Sequence, residues 1–134
     1  MILIDAGPLV ALFHGDDEAH ARCRGLLSRI REPLLTVWPV VTEAMYLLSF
    51  SWEAQDGLLE MIETEDIRLA TLEAGDAPRI RELMEKYRDL PMDLADAALV
   101  CVAEKHRIAK VFTLDRRDFT VYRPHRVGTF TILS

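Results

Sequence analysis

Apolar and polar residues follow two rhythms along this chain, and the switches between them mark out its elements. Ile2-Leu3-Ile4 is a short β-branched-rich run stopped by Asp5-Ala6-Gly7-Pro8, the pattern of a buried strand that turns into a helix. Asp16 or Asp17 is placed to cap a helix over residues 18–31, residues 34–37 form a second strand, and Pro39 starts a strongly apolar helix. Residues 56–63 predict another short helix and residues 67–72 a third strand. Asp76 and Pro78 open an amphipathic helix with Ile80, Leu83, Met84 and Tyr87 on one face and a Glu82–Lys86 pair, four residues apart, on another. After Leu90-Pro91 the pattern predicts a helix over residues 93–107, then strands at 111–114 and 130–133. Strands alternating with helices imply an α/β fold on a mainly parallel, about five-stranded sheet covered on both faces.

The chain has 134 residues, half of them apolar, which suits one domain spanning residues 1–134 with a sizeable core. No apolar run reaches the length of a membrane span and no cleavable leader is apparent, so no membrane association and a cytoplasmic location are expected. Cys23 and Cys101 lie far apart without metal-ligand spacing and are expected to act as small apolar core residues. His14, His20, His106 and His125 show no ligand spacing and are expected at the surface or in loops. Trp38, Tyr46, Phe50 and Trp52 gather around the third helix. Core packing is the expectation for them, with an exposed rim for a protein contact as the alternative.

Charge changes the picture through its placement. Asp5 is the only charge between Met1 and Phe13, Glu43 the only one between Pro33 and Phe50, and Asp93 and Asp96 the only ones between Leu90 and Ala103. Asp115 directly follows the apolar-rich Val111-Phe112-Thr113-Leu114. A buried carboxylate costs several kcal/mol unless it is paired, hydrogen-bonded or bound to a cation. Convergence of Asp5, Glu43, Asp96 and Asp115 on one metal accounts for all four. Asp5 and Asp115 end strands, where parallel α/β sheets place their ligand crevice. An oxygen-only donor set without His or Cys selects Mg²⁺ or Mn²⁺ over zinc. Such a centre suits phosphodiester hydrolysis, with metal-activated water and a stabilised leaving oxygen.

The segments Ile4-Asp5-Ala6-Gly7-Pro8-Leu9, Val41-Thr42-Glu43, Asp93-Leu94-Ala95-Asp96-Ala97 and Thr113-Leu114-Asp115-Arg116-Arg117-Asp118-Phe119, in that order, carry a resemblance over essentially the whole chain. The sequence resembles a PIN-domain ribonuclease, and within that group a VapC-type toxin of a toxin–antitoxin pair. The resemblance implies a three-layer α/β/α sandwich, endoribonuclease activity, and Asp5, Glu43, Asp96 and Asp115 as the catalytic, metal-binding acids. It also implies an RNA substrate, a VapB-like antitoxin partner and a homodimer. The family often places Ser or Thr directly after the first Asp; here Ala6 supplies no hydroxyl.

Each acid also has a plainer reading. Asp5 and Asp93 suit helix N-caps, Asp96 the third helical position that the helix dipole favours, and Asp115 and Asp118 an ordinary turn. Asp93 is therefore assigned to capping or metal support, and Asp118 to an accessory place. The net charge of −6 argues against a generic nucleic-acid binder. That objection weakens if a metal neutralises the site and if Arg116 and Arg117, beside Asp115, meet RNA phosphates. Further basic residues lie between Arg22 and Arg31 and between Arg123 and Arg126. The rival functions are a phosphoaspartate phosphatase or receiver-like domain and a catalytically inactive PIN-like scaffold for RNA or protein. The first lacks its acid pattern here, since Asp5-Ala6-Gly7 is not D-x-D. The second leaves four costly acids unexplained.

Overall fold

Three apolar residues with no charge among them make the central strand, β1 (Ile2–Ile4), which lies buried between two parallel neighbours. The computed structural model describes all 134 residues. The order along the chain is β1, α1 (Ala6–Phe13), α2 (His20–Arg29), β2 (Leu34–Thr36), α3 (Trp38–Leu47), α4 (Trp52–Glu63), β3 (Ile67–Leu69), α5 (Ala77–Lys86), α6 (Leu94–His106), β4 (Lys110–Phe112), α7 (Arg116–Val121) and β5 (Thr131–Leu133). A 3₁₀ turn at Ala74–Asp76 leads into α5. The strands form one fully parallel sheet in the order β3-β2-β1-β4-β5.

That order has a direct consequence for where helices go. The chain steps outward from β1 to β2 to β3, then crosses back over β2 and β1 to reach β4 and continues to β5. Right-handed crossovers place the helices of the two directions on opposite faces. Accordingly α1 packs on α2, α3 and α4, while α5 packs on α6. The result is the expected three-layer α/β/α arrangement, with the reversal of strand order between β1 and β4.

The core is built from the strands and the inner helix faces. Leu3, Ile4, Val111 and Phe112 are fully buried in the sheet, and α6 is buried along nearly its whole length, from Ala95 to Glu104 apart from Asp96. This burial explains why α6 shows no amphipathic rhythm: it is covered on all sides. Cys23 and Cys101 are both buried free thiols, as core residues should be. No helix is long and apolar enough to cross a membrane.

Several details differ from the sequence expectation: neither Asp16 nor Asp17 caps α2, whose N-cap is Ala19, and the third strand stops at Leu69. The fourth helix starts at Trp52, four residues earlier than the pattern suggested, because the Ser51 hydroxyl accepts a hydrogen bond from the Ala54 amide and caps it. A short helix, α7, stands where a turn was expected, since Asp115 caps it through the Asp118 amide and six residues are too few to show a helical rhythm. Finally, Glu82 does not pair with Lys86. It meets Arg79 at 3.2 Å, and the Lys86 ammonium lies 5.2 Å from the centre of the Tyr87 ring.

Arg79 is held by a stronger partner. Its guanidinium donates from Nε and Nη2 to the two oxygens of Glu104, at 2.8 and 2.7 Å, which ties α5 to α6. The His125 amide donates to the same carboxylate at 2.8 Å. Burial alone would raise the Glu104 carboxyl, but these donors outweigh it and hold it below the ordinary glutamate value. Since the folded value lies below the unfolded one, the pair contributes fully above the ordinary range and loses its contribution as the pH falls through the folded value. Glu104→Gln should therefore lower the unfolding free energy from urea titration by about 2 kcal/mol at pH 7, less than a fully buried pair because Arg79 is partly exposed. The deficit should shrink in acid, and Glu82→Gln should change little. Equal effects at both positions would contradict this account.

Candidate active site

The β1–β4 register builds the floor of the site. Leu3 pairs with Val111 and Ile4 with Phe112, and the Asp5 amide donates to the Phe112 carbonyl at 3.0 Å. The next residues, Asp5 and Thr113, therefore emerge together at the C-terminal edge of the sheet. Asp5 is buried, with only 8% of its surface exposed. It is the N-cap of α1: one oxygen accepts from the Ala6 amide at 2.8 Å, and the other accepts from the Thr113 hydroxyl at 2.9 Å. Thr113 in turn accepts from the Asp115 amide at 3.0 Å. One buried hydroxyl thus links the first acid to the backbone of the last.

The other acids arrive on helix N-termini. Asp93 is the N-cap of α6, its carboxylate accepting from the Asp96 amide at 2.8 Å. Asp96 stands in the first turn and accepts from the Tyr122 hydroxyl at 2.7 Å. Asp115 caps α7, and Asp118 lies in its first turn. All of these, with Asp5 and Glu43 from α3, line one cleft of about 530 Å³ whose walls include Gly7, Leu47, Pro91 and Leu114.

Within the cleft the acids are not equivalent. One carboxylate oxygen from each of Asp96, Asp115 and Asp118 lies within 4.8 Å of the others, a spacing that a single cation can bridge. Asp5 and Glu43 line the same cleft outside that tight group. Glu43 is exposed, which corrects the expectation that its apolar neighbours would leave it little polar surface: Val40, Val41 and Ala44 face the core, and Glu43 lies on the open side of α3. Of the four acids argued from burial cost, only Asp5 is fully buried.

Burial and mutual repulsion act both inside and outside the tight group. Burial pushes the Asp5 carboxyl above its ordinary value against the lowering effect of its two donors, and Asp115 and Asp93 add to the rise. Asp96 is pushed up to about 8 by burial, despite the Tyr122 donor, with the nearby aspartates reinforcing the rise. Partial desolvation against the cleft wall raises Glu43, with Asp93 and Asp5 adding to the rise, and partial desolvation and Asp115 raise Asp118. The cluster is a set of carboxylates that suffer from one another's charge and have no Lys or Arg on the cleft wall. Such an oxygen-only donor set fits a hard divalent cation.

Two residues of this site were not singled out from the sequence. Thr113 is the only hydroxyl in the run 111–114, and a polar residue at the end of a buried strand was the available signal. Tyr122 directly follows the last residue of α7, a helix that the sequence pattern did not reveal.

The aromatic group of α3 and α4 is also corrected. Trp38, Tyr46, Phe50 and Trp52 are all more than half exposed. Val40, Val41, Ala44 and Leu48 already fill the inner face of α3, so these rings have nothing left to cover. Leu94 is half exposed beside Trp38, and the two line a second hollow that shares Glu43 and Asp93 with the acidic cleft.

The chain matches the PIN domain family over residues 2–123 and belongs to that family. It is 29% identical over 134 residues to Ribonuclease VapC26 of Mycobacterium tuberculosis, a match covering 98% of this chain and 99% of that protein. Among solved structures it is similar to VapC20 of Mycobacterium tuberculosis, a sarcin-ricin loop cleaving toxin, with a TM-score of 0.80 at 18% identity over 87% of this chain and 92% of that one. A toxin–antitoxin complex from Klebsiella pneumoniae aligns with a TM-score of 0.72 at 16% identity, covering 100% of this chain and 97% of that one. VapBC2 from Rickettsia felis, bound to a promoter DNA fragment, aligns with a TM-score of 0.64 at 14% identity, covering 100% of both chains. These structural likenesses carry the fold.

The strain in the cluster has a measurable sign. The folded-state value of Asp96 lies above the unfolded one, so its charge destabilises the fold increasingly from about pH 4 to about pH 8. Asp96→Asn keeps an acceptor for Tyr122 and removes the charge. In EDTA at pH 8 the variant should be more stable than the parent by about 1–2 kcal/mol in urea unfolding, the scale on which relief of functional-site strain acts. A variant that is less stable would show that the protein itself neutralises the cluster.

Proposed function

We propose that this chain is a metal-dependent endoribonuclease that hydrolyses RNA phosphodiester bonds and serves as the toxin of a toxin–antitoxin pair. The observation that carries the reading is the convergence of Asp5, Glu43, Asp96, Asp115 and Asp118 on one cleft at the β1–β4 reversal, with three of them close enough to share a cation. Membership in the PIN family and the similarity to Ribonuclease VapC26 support the activity. The toxin–antitoxin structures with the same fold support the partner.

In this reading Asp5, Glu43, Asp96 and Asp115 hold Mg²⁺ or Mn²⁺, and Asp93 and Asp118 are accessory. The ion supplies charge neutralisation at the scissile phosphate and a water of lowered pKa. The protein's own part is to hold the acids still: the Ala6 amide and the Thr113 hydroxyl fix Asp5, and Asp93 fixes the first turn that carries Asp96. Asp115 caps the helix on which Asp118 rides. Arg117 is exposed and makes no hydrogen bond or ion pair, which leaves it free for an RNA phosphate beside Asp115. Arg116 is also exposed but donates to the Ser134 hydroxyl, at 2.5 Å. The uncovered aromatic surface of α3 and α4 suits an antitoxin or a second copy of the chain, and a cytoplasmic, single-domain homodimer completes the reading.

The test is cleavage of a structured RNA with Mn²⁺ or Mg²⁺, with and without EDTA, beside Asp5→Asn and Asp96→Asn proteins. Activity should require the ion and fall by roughly two orders of magnitude or more in each variant. Metal-independent cutting, or full activity in both variants, would sink the mechanism. A folded wild type that binds RNA with Mn²⁺ present and never cuts it would favour the inactive scaffold.

A further inference from the structure

Tyr122 is among the largest fully buried side chains of the molecule, and its hydroxyl ends on an acid of the cleft. The ring is held on two sides, edge-on to Tyr87 at 5.0 Å between centres and edge-on to Phe119 at 5.1 Å. Core packing therefore fixes where the hydroxyl can be. From there it donates to Oδ2 of Asp96 at 2.7 Å, a well-formed O–H···O hydrogen bond. The other oxygen of Asp96 takes no hydrogen bond from the protein.

The placement links the two halves of the cleft. Tyr122 follows the last residue of α7, the helix that Asp115 caps and whose first turn carries Asp118. Asp96 belongs to α6, a separate element that reaches the cleft from the crossover. One short helix thus supplies two acids at its start and, at its end, the donor that orients the third.

We propose that Tyr122 is a positioning residue of the metal site: its O–H locks one oxygen of Asp96, leaving the other for the divalent cation that Asp96 and Asp115 would share, with Asp118 close beside them. The inference rests on the metal-binding reading given above. A carboxylate on a helix rotates freely about its last torsion, and ordering it at the moment of binding costs affinity. Groups that hydrogen-bond metal ligands from behind typically account for roughly 10- to 100-fold in metal affinity.

A buried phenol also needs a hydrogen-bond partner for purely structural reasons, and Tyr87 provides the comparison. It is buried in the same aromatic group, and its hydroxyl accepts from the Arg123 amide at 2.9 Å without touching an acid. Y122F and Y87F each remove one buried hydroxyl and keep the ring. Only the first should change the metal site.

The experiment is Mn²⁺ binding to the full-length wild type, Y122F and Y87F by calorimetry, with urea unfolding of each in EDTA. Y122F should bind Mn²⁺ roughly 10- to 100-fold more weakly, while Y87F keeps the wild-type affinity. Unchanged affinity in Y122F, or an equal loss in both variants, overturns the assignment.

A second measurement uses the wild type and does not depend on Y122F folding. With the tyrosine ring carbon that bears the hydroxyl labelled, the three tyrosines give three NMR signals, assigned through Y46F and Y87F. Titration with Mg²⁺ should move the Tyr122 signal and leave those of Tyr46 and Tyr87 in place. A Tyr122 signal that does not move while Mg²⁺ binds overturns the proposal. A wild type that binds neither ion overturns the metal reading itself, and the role of Tyr122 with it.

Discussion

The parallel pairing of β1 with β4 is the constraint on which the rest of the molecule depends. It places the reversal of strand order at the centre of the sheet, and it brings residues 108 positions apart in sequence into contact through the Thr113–Asp5 hydrogen bond. A slip of one residue in this register would turn Asp5 toward the opposite face and bury its charge against a helix layer. Leu3, Ile4, Val111 and Phe112, all fully buried, specify the register through the hydrophobic core. The chemistry of the cleft is thus set by packing that contains no functional group.

Concentrating so many like charges at one edge requires compensation, and the fold supplies part of it through its helices. Asp5, Asp93 and Asp115 are N-caps, so the positive ends of α1, α6 and α7 all face the cleft. Each cap satisfies an otherwise unpaired amide, and each helix dipole offsets some of the repulsion. The offset is incomplete, because burial still holds Asp5 above its ordinary value and Asp96 at about 8. What remains uncompensated is the part that a cation would relieve.

This division explains what the sequence made legible. Asp5, Asp93 and Asp96 interrupt long apolar runs, and Asp115 ends a strand, so all four could be picked out from hydropathy alone. The sheet was legible for the same reason, as short apolar runs separated by helical rhythms. The groups that orient the acids were not. Thr113 and Tyr122 acquire their roles only through contacts between β1 and β4 and between α6 and α7, which no local pattern encodes. Glu43 and the aromatics of α3 misled in the opposite sense. An apolar neighbourhood in sequence suggested burial, whereas a helix packed on one side exposes every residue on the other.

The capping geometry also separates what folding needs from what it does not. Asn caps a helix about as well as Asp, and it offers the same acceptor to an amide or a hydroxyl. The hydrogen bonds that Asp93, Asp96 and Asp115 make, each on one oxygen, would therefore survive with neutral side chains, whereas Asp5 accepts on both oxygens and would lose one acceptor. At Asp96 the charge adds desolvation and repulsion from its neighbours without adding a contact that the fold requires. A sequence shaped by stability alone has no reason to carry it. The metal-binding reading proposed above accounts for that charge, because a cation in the cleft would offset it.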